Sequence, residues 1–507
     1  MRSRRLLVLV LAISFTVLGC GGAGDQDGSD AYPSHAERIY VDGDGVDWEG
    51  LPVRRVDTGD GTGVGIERLW TAHSDRHFFL RMELDRPINL QEGNTLTLFL
   101  DTDDDTTTGR DTLGLGAELT WNFGERSGRF RGDEITHADI GFASLPTVHS
   151  DTFEVALDRS ATPNDSAALF PGDRFRLAVA GDGERVPDGP GGVGYELSDD
   201  EVALEAPALT RPDSGAVRLT SYNAVNNFDR ELNSLFIEDR QPHYRRILGA
   251  IGADVIGFQE VYDQGAEDVE ATAEGELGLP DAWHWAKEGQ DLVLGSRFSI
   301  LDTHAIPGYE DYESGAFLLD TREALGSQLV VVNMHPPCCN DPGGEDEPSS
   351  DAQRQQVVDG VGAFMRRVKA GEGPFDVAAE TPVVILGDMN FVGDTQQPQT
   401  LRRGEIVNED RFGPATAPDW DGSPLLDTAP RQVASPMHIT WTDAESSFPP
   451  GRLDYAYVTD SVLEVPHEFV LYTPVLPDRV LQERGLQAED TNDASDHLPV
   501  VIDVQAR

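Results

Sequence analysis

The sequence predicts an all-β sandwich followed by a layered α/β domain. From residue 37 to residue 206, short segments alternate apolar and polar residues between turn residues, and few windows show a 3.6-residue period, which is typical of a β-sandwich. From residue 216 to residue 507, apolar strands alternate with amphipathic helical stretches, which indicates an α/β layer domain. The Pro- and Gly-containing stretch 207–215 is interpreted as the linker between them.

Individual elements follow from the same patterns. Strands are predicted at 78–84, 95–100, 152–157 and 174–179 in the first region, and at 217–223, 254–260 and 328–334 in the second. Helices are predicted at 243–251 and 350–369. The second of these helices is expected to be capped by Ser350 and Asp351.

The stretch 382–391, Pro-Val-Val-Ile-Leu-Gly-Asp-Met-Asn-Phe, has the pattern of a buried strand that ends at Gly387. Asp388 and Asn390 are therefore expected to emerge together at the carboxyl end of a strand, where α/β sheets bind ligands. An acid beside an amide is able to hold a hard cation or to orient a water. The alternative is a plain turn, because Gly, Asp and Asn are also common turn residues.

The chain is strongly acidic, with 90 Asp and Glu residues against 39 Lys and Arg residues and a formal net charge of −51. A surface of this charge repels polyanions at long range and suits high salt, where screening removes its self-repulsion. The sequence contains no run of Arg with interleaved aromatic residues that would follow a nucleic-acid strand. The composition therefore argues against binding of an extended duplex.

Residues 1–20 have the pattern of a secretory signal peptide, with arginines at positions 2, 4 and 5 before an apolar run too short to span a membrane. Val17-Leu18-Gly19-Cys20 resembles a bacterial lipobox, so Cys20 is expected to be the lipidated first residue of an exported protein. Residues 21–36 are expected to form a flexible tether. Gly21 favours anchoring to the outer membrane or cell surface. The alternative is ordinary cleavage with an incidental Cys20.

Cys338 and Cys339 are the other two cysteines, and they are adjacent. Because a disulfide between neighbours closes a strained ring, a disulfide-stapled fold is not predicted. They are interpreted as buried or spectator thiols, and the alternative is a redox-sensitive lip beside a site.

Two acidic segments of the first region resemble parts of family-9-like carbohydrate-binding sandwiches. Residues 41–48 resemble the opening of such domains, and residues 100–106 with Gly109 resemble their acidic loop. The resemblance implies glycan binding, although such sandwiches also serve as spacers. The clustered carboxylates at 101–105 are able to bind a structural Ca²⁺. Their spacing departs from the EF-hand pattern, however, and a solvated acidic turn is the alternative.

Polar residues recur where other strands of the second region end. Asn223 and Glu260 end two predicted strands, and His335 follows a third. Asp454 lies in Gly-Arg-Leu-Asp-Tyr, and Ser-Asp-His at 495–497 begins the last strand. One polar residue at a strand end is usually structural, but the recurrence of suitable side chains at successive strand ends indicates a site.

In this order the motifs resemble those of the endonuclease/exonuclease/phosphatase superfamily of metal-dependent phosphoesterases. The resemblance covers residues 217–505 and implies a four-layer α/β sandwich that hydrolyses a phosphoester. The motifs that carry it are Tyr222-Asn223, Gln259-Glu260-Val261, Asn333-Met334-His335, Gly387-Asp388-Met389-Asn390, Arg452-Leu453-Asp454-Tyr455 and Ser495-Asp496-His497.

The resemblance also implies a cation site. Glu260, with Asn223 and Asp496 nearby, is the sparse set of oxygen ligands that Mg²⁺ prefers, and Mn²⁺ and Ca²⁺ are the alternatives.

The same resemblance implies roles for the other polar residues. Asp388 would orient or deprotonate the attacking water, while Asn390 and His335 would contact the substrate phosphate. Asp454 would hold the ring of His497, which would act as a base or as a cationic clamp on the phosphate.

The predicted function is an exported, lipid-anchored, metal-dependent phosphodiesterase that works as a monomer. Its substrate would be extracellular nucleic acid or a small or lipid phosphodiester. The alternative is a surface glycan-binding lipoprotein with a vestigial phosphoesterase domain. The completeness of the motif set argues against that alternative.

Overall fold

The computed structural model describes residues 32–507 except 57–62, 166, 182, 203, 205–208, 213–214, 228–231, 281 and 345–346. The predictions of a signal peptide and of a lipidated Cys20 therefore lie outside the described residues, as do most of the predicted tether and part of the predicted linker. No helix in the described part of the chain has the length and apolar character needed to cross a bilayer.

The first region, referred to below as the sandwich, contains two main antiparallel sheets. Its strands are β1 (Arg55–Val56), β2 (Ile66–His73), β3 (His77–Ile88), β4 (Thr97–Asp101), β5 (Arg110–Thr112), β6 (Leu115–Ala117), β7 (Leu119–Asn122), β8 (Ser127–Phe130), β9 (Asp133–Ile135), β10 (Ala143–Leu145), β11 (Ser150–Asp158), β12 (Arg174–Gly181), β13 (Glu184–Val186) and β14 (Val193–Glu196). One sheet has the order β1-β2-β3-β11-β10. The other has the order β13-β12-β4-β7-β8-β9, with β14 beside β12.

The central strand β3 shows why this region folds as a sandwich. Phe78, Leu80 and Met82 alternate along it and pack with Leu98 of β4 in the core between the two sheets. Phe79 points to the opposite face and packs in a second apolar cluster. Both faces of β3 are therefore buried.

The second region, referred to below as the layered domain, contains two six-stranded sheets. Its strands are β15 (Val217–Asn223), β16 (Asn226–Asn227), β17 (Leu232–Asn233), β18 (Val255–Gln259), β19 (His284–Glu288), β20 (Leu292–Ser296), β21 (Ile300–Tyr309), β22 (Tyr312–Leu319), β23 (Leu329–Met334), β24 (Val383–Asp388), β25 (Leu426–Asp427), β26 (Asp454–Val458), β27 (Leu463–Val470) and β28 (Val500–Ala506). The sheet orders are β19-β20-β18-β15-β28-β27 and β21-β22-β23-β24-β26-β25.

Helices cover the outer faces of both sheets and complete four layers. They are α1 (Gln241–Ile251), α2 (Ala266–Gly275), α3 (Arg322–Leu325), α4 (Ser350–Ala370), α5 (Gln396–Arg403), α6 (Glu409–Phe412), α7 (Asp478–Arg484) and α8 (Asp490–Ala494). Along β24, Val384 and Leu386 pack in the core between the sheets, whereas Val383 and Ile385 pack in the core that contains α4. A strand buried on both faces requires the continuous apolar run that the sequence shows. The predicted fold class is confirmed.

The structure corrects the predicted cap of α4. The cap is Ser349, whose hydroxyl accepts a hydrogen bond from the Ala352 N–H, and the helix begins at Ser350. The prediction was wrong because two serines are adjacent, and sequence alone does not distinguish the residue before the helix from its first residue.

The prediction for Cys338 and Cys339 is also wrong. Their sulfur atoms are bonded to each other, and both residues are exposed. Arg354, which is fully buried, donates from Nη1 to the carbonyl oxygens of Pro337 (3.1 Å) and Cys339 (2.5 Å). The turn is therefore held by backbone contacts to a buried cation, which hydrophobicity does not reveal.

The sandwich packs directly against the layered domain. Phe79 on the outer face of β3 and Trp48 share an apolar cluster with Met437 and Ile439 of the layered domain. Val41 forms a parallel bridge with Met437. The sheet face that would otherwise meet water is thus covered by the neighbouring domain, which favours a fixed arrangement of the two.

Candidate active site

The predicted polar residues meet at one edge of the two central sheets. β15 pairs with β18 in parallel, so Asn223 lies opposite Gln259 and next to Glu260. β23 also pairs with β24 in parallel, and the antiparallel β26 places Asp454 opposite Asp388. Gly387 lacks a Cβ where the carbonyl oxygen of Met334 approaches, and its φ of +146° favours glycine. The strand ends therefore converge as predicted.

Asp388 lies at the centre of the site and is almost fully buried. Its Oδ2 accepts hydrogen bonds from Nδ2 of Asn223 at 3.0 Å and from Nδ2 of Asn390 at 3.2 Å. Its Oδ1 accepts from the backbone N–H of Asn390 at 3.0 Å. Burial raises the pKa of Asp388 to about 6, although the rings of His497 and His335 oppose the shift. These hydrogen bonds thus orient the carboxylate, and its pKa is raised toward neutral pH.

Asp454 and His497 form a buried pair beside Asp388. Nδ1 of His497 lies 2.9 Å from Oδ2 of Asp454, and its Nε2 lies 3.5 Å from Oδ2 of Asp388. Burial alone would lower the pKa of His497. The carboxylates of Asp454 and Asp388 outweigh burial and raise that pKa well above its ordinary value. The two carboxylates therefore favour the protonated form of the ring, whose Nε2 faces Asp388.

His335 forms a second pair with Asp291, a residue that no sequence motif indicated. Its Nδ1 lies 2.5 Å from Oδ2 of Asp291, and its Nε2 lies 3.5 Å from Oδ2 of Asp388 and 4.0 Å from Oε1 of Glu260. Burial opposes ionisation, but the Asp291 carboxylate, with Asp388 and Glu260, raises the pKa of His335 to about 9. Two histidine rings, each held by a carboxylate, therefore flank the Asp388 side chain.

Glu260 and Asn390 occupy the left-handed backbone region, with φ of 65° and 50°. Residues other than glycine adopt this region at an energetic cost, and such residues cluster at functional sites. Glu260 Oε1 accepts from Nδ2 of Asn223 at 3.0 Å, and Oε2 accepts from the N–H of Asn226 at 2.7 Å. The Asn223 oxygen accepts from the N–H of Val225. These contacts hold the Glu260 carboxylate in one orientation.

The carboxylates of the site fit a hard divalent cation. Glu260, Asp388 and Asp496 all line one cavity, and no Lys or Arg is among the described residues that line it. Asp496 is oriented by Nε1 of Trp441, which donates to its Oδ2 at 3.0 Å. Carboxylate oxygens are the ligands that Mg²⁺ and similar hard ions prefer.

Two groups of side chains in the described part of the chain bring ligand atoms within 4.8 Å of one another. One is Asp388, Asp454 and His497. The other is Asp101, Asp103 and Glu118, in the acidic loop of the sandwich. Both groups could hold a metal, and the assignment of Ca²⁺ to the acidic loop stays a prediction.

The cavity at the site has a volume of about 340 Å³. Its floor contains Glu260, His335, Asp388, Asn390, Asp496 and His497. The sandwich contributes Asn89, Gln91 and Thr147 to its wall, and the layered domain adds the Cys338–Cys339 pair, Trp441 and Phe448. Two domains therefore enclose one site.

Replacing Asp454 by asparagine is expected to lower the pKa of His497. The variant removes the carboxylate that contacts Nδ1, whereas the burial that disfavours the imidazolium remains. Titration of the histidine side chains by ¹H–¹⁵N NMR, in protein without added metal, would measure the change. The equally buried Asp359, which bonds the backbone N–H groups of Val407 and Asn408, offers the control Asp359→Asn. An unchanged midpoint for His497 in Asp454→Asn would contradict the described pairing.

Asp291, Asn226 and Trp441 belong to the site, although the sequence analysis did not place them there as site residues. Asp291 also accepts the Glu260 N–H at 3.1 Å, so one carboxylate holds both Glu260 and His335. The only local signal is the turn before β20, which is equally typical of a structural Asp.

The comparisons with known proteins agree with this fold. Residues 233–497 match the model of the Endonuclease/Exonuclease/phosphatase family. A search of curated proteins finds no match.

Three solved structures illustrate the likeness. D. rerio TDP2 complexed with single-strand DNA product is 14% identical over 58% of this chain and 100% of that chain, with a TM-score of 0.34. ANGEL2, a 2′,3′-cyclic phosphatase, is 16% identical over 57% and 95%, with a TM-score of 0.36. A mannosyl-6-phosphatase of Bacteroides thetaiotaomicron is 16% identical over 57% and 99%, with a TM-score of 0.33. Nothing about the substrate of this chain follows from likeness at this level.

The family match is the decisive comparison, because it includes most of the layered domain and, among the polar residues predicted for the site, all except Asn223. Since residues 233–497 make up more than half of the 507 residues, the chain belongs to the Endonuclease/Exonuclease/phosphatase family and is a hydrolase that acts on phosphoesters.

Proposed function

We propose that this phosphoesterase is an exported, lipid-anchored phosphodiesterase that depends on a divalent cation. Mg²⁺ is the proposed ion, with Mn²⁺ and Ca²⁺ as alternatives. The observation that supports the proposal is the convergence of a buried carboxylate, two carboxylate-held histidines and a glutamate on one cavity. Phosphoester hydrolysis needs a group to activate water, positive charge to stabilise the phosphoryl oxygens, and an acid for the leaving oxygen.

The cation would be held by Glu260 and Asp496, with Asn223 bonded to Glu260. When bound, it supplies positive charge that neutralises the phosphate oxygens. The contacts of Glu260 with Asn223 and Asn226 hold its carboxylate before the ion arrives, which lowers the cost of ordering it.

Asp388 is the proposed group that orients and deprotonates the attacking water. Its Oδ2 lies 3.5 Å from a ring nitrogen of both His335 and His497, so a water bonded to it would lie between two positive charges. The water oxygen forms the new bond to phosphorus, the ester P–O bond breaks, and Asp388 takes up the proton of the water.

The two histidines have different proposed roles. His497 is held by Asp454 and would stabilise the phosphoryl oxygens as a cation, as would the side-chain amide of Asn390. His335 is held by Asp291 and would contact the phosphate and give its Nε2 proton to the leaving oxygen. The assignment of water activation to Asp388 rather than to His497 follows from the cationic state that Asp454 favours in His497.

The proposed cellular location rests on residues 1–36 alone. Lipidation at Cys20 would anchor the protein to the outer membrane or cell surface without spanning the bilayer. The variant Cys20→Ala is expected to move the protein from the membrane fraction to the soluble fraction, and retention in the membrane fraction would contradict the proposal. We further propose that the protein acts as a monomer and that the sandwich is able to bind glycan.

A substrate panel tests the activity. Purified protein would be assayed on plasmid DNA, sphingomyelin and bis-p-nitrophenyl phosphate, each with added Mg²⁺ and with a chelator. Cation-dependent hydrolysis of any of the three supports the phosphodiesterase, and the preferred compound indicates the substrate class. Hydrolysis of none would favour the alternative, a surface glycan-binding lipoprotein with a vestigial phosphoesterase domain.

A further inference from the structure

The sandwich holds one side of the cavity through a loop after β3. Asn89 Nδ2 donates to the carbonyl oxygen of Val392 at 3.2 Å, and Asn340 Nδ2 donates to the same oxygen at 3.2 Å. Asn340 Nδ2 also lies 2.7 Å from Oε2 of Glu92. The sandwich loop, the turn after the paired cysteines and the segment after Asn390 are thus joined by hydrogen bonds at the cavity rim.

The sandwich also holds the opposite side. The guanidinium of Arg126 lies 4.1 Å from the ring centroid of Phe448, and its Nη1 donates to the carbonyl oxygen of Gln91 at 2.7 Å. Nε2 of His137 lies 3.0 Å from the carbonyl oxygen of Ser446. The position of Phe448 at the cavity therefore depends on a cation–π contact from the other domain.

Three cavity groups remain available to a ligand. The side-chain amide of Gln91 makes no hydrogen bond within the described part of the chain. Phe448 is 36% exposed, and Trp441 is half-buried with its N–H already bonded to Asp496. The available chemistry is a neutral amide beside two aromatic side chains.

No Lys or Arg is among the described residues that line the cavity. The arginines next to the cavity are already engaged. Arg126 lies over the ring of Phe448 and pairs with Glu92. Arg354 bonds the carbonyl oxygens of Pro337 and Cys339, and Arg452 pairs with Asp427. A second phosphate of a polymer would therefore find no Lys or Arg among these lining residues to pair with.

We infer that the sandwich completes a subsite for the organic group of the substrate, and that this group is an uncharged ring bearing hydroxyl groups. The inference rests on the proposed function and specifies its substrate. Aromatic faces pack against the C–H face of such a ring, while Gln91 exchanges hydrogen bonds with its hydroxyls. A volume of about 340 Å³ lies at the small end of small-molecule sites, which span about 300–1,000 Å³, and suits one phosphate with one ring. The ring is a sugar, either free or within a nucleotide.

Two pairs of compounds test the subsite. The first pair consists of phosphate monoesters: glucose 6-phosphate has a ring, and glycerol 3-phosphate has none. The second pair consists of phosphate diesters: a dinucleoside monophosphate has rings, and glycerophosphoglycerol has none. Wild-type protein is expected to give the higher kcat/KM for the ring-bearing member of whichever pair it hydrolyses. The pair that is hydrolysed distinguishes a free sugar phosphate from a nucleotide.

The variants Gln91→Ala and Phe448→Ala are each expected to lower the ratio of kcat/KM, ring-bearing to ringless, about 3- to 10-fold, the loss typical of one neutral hydrogen bond or one aromatic contact. The exposed residues Gln482 and Leu301 offer the matched controls Gln482→Ala and Leu301→Ala, which should leave the ratio unchanged. Thermal unfolding would verify that all four variants fold.

Two different failures are distinguishable. If wild-type protein hydrolyses phosphoesters but the ratio is unchanged in both subsite variants, or falls equally in the controls, the subsite is overturned and the proposed function stands. If wild-type protein hydrolyses neither these pairs nor the three compounds of the substrate panel, the proposed function fails and the subsite falls with it.

Discussion

Replacing Asp388 by asparagine is expected to lower kcat by about a thousandfold or more. The amide keeps the size of the side chain and its contact with the backbone N–H of Asn390, but it cannot accept the proton of the attacking water. General acid–base catalysis contributes about 10²–10⁴ in rate, and loss of the negative charge between two imidazolium groups adds to the effect. The measurement is kcat on bis-p-nitrophenyl phosphate at saturating cation.

The matched control for this variant is Asp359→Asn. Asp359 is equally buried and bonds backbone N–H groups, but it lies outside the cavity. It is expected to lower the melting temperature while kcat stays close to that of the wild type. Near-wild-type turnover in Asp388→Asn would remove Asp388 from the mechanism, as would an equal loss in the control.

The second large effect concerns the cation. Glu260→Gln is expected to weaken binding of Mg²⁺ or Mn²⁺ by at least about 100-fold, because it removes the charge of the proposed oxygen ligand, and even the partners of metal ligands are worth 10–100-fold. The amide would also meet Nδ2 of Asn223, which donates to Oε1 in the wild type. Titration calorimetry with Mn²⁺ measures the affinity directly, independently of turnover.

The acidic loop of the sandwich supplies the control for this titration. Asp103→Asn alters the other group of carboxylates that could hold a metal, so it should leave both the affinity of the catalytic cation and kcat unchanged. Equal affinity in Glu260→Gln and wild type would show that the cation is held elsewhere, and a loss in Asp103→Asn instead would identify the loop as the measured site.

The sequence predicted the centre of this site because the relevant signal is local. β24 is a continuous apolar run that ends in a carboxylate, and the strand observed, Val383–Asp388, lies within the predicted stretch 382–391. β15 matches its predicted bounds, 217–223. Parallel pairing brings strand ends together within one sheet, so the pattern of strands groups Asn223 with Glu260 and His335 with Asp388. The two pairs lie in different sheets, and it was the family resemblance that placed them in one site.

The partners of these residues could not be predicted in the same way. Asp291 contacts His335 and Glu260 only because β20 lies in the sheet beside β18, and Trp441 contacts Asp496 across 55 residues of sequence. Asp is a common residue in turns, so Asp291 gives no distinctive signal. Their roles follow from the tertiary fold and have no periodicity to reveal them.

The sandwich illustrates the same limit at the level of domains. Its strands follow from alternation, but its contacts with the site come from loops. Asn89, Gln91 and Arg126 lie more than 250 residues before Val392 and Phe448. The sequence predicted that the sandwich is a separate binding module or a spacer. In the structure, the sandwich also forms one wall of the cavity. Loops carry such functions without a hydrophobic pattern that identifies them.

The most direct test of the proposed mechanism is the cation dependence of phosphodiester hydrolysis by the full-length protein, measured alongside His497→Ala. Wild-type protein is expected to hydrolyse bis-p-nitrophenyl phosphate, to lose this activity in a chelator and to recover it with Mg²⁺ or Mn²⁺, while His497→Ala stays folded and inactive under all three conditions. Turnover that is unchanged by the chelator, or that persists at the wild-type rate in His497→Ala, would contradict the mechanism.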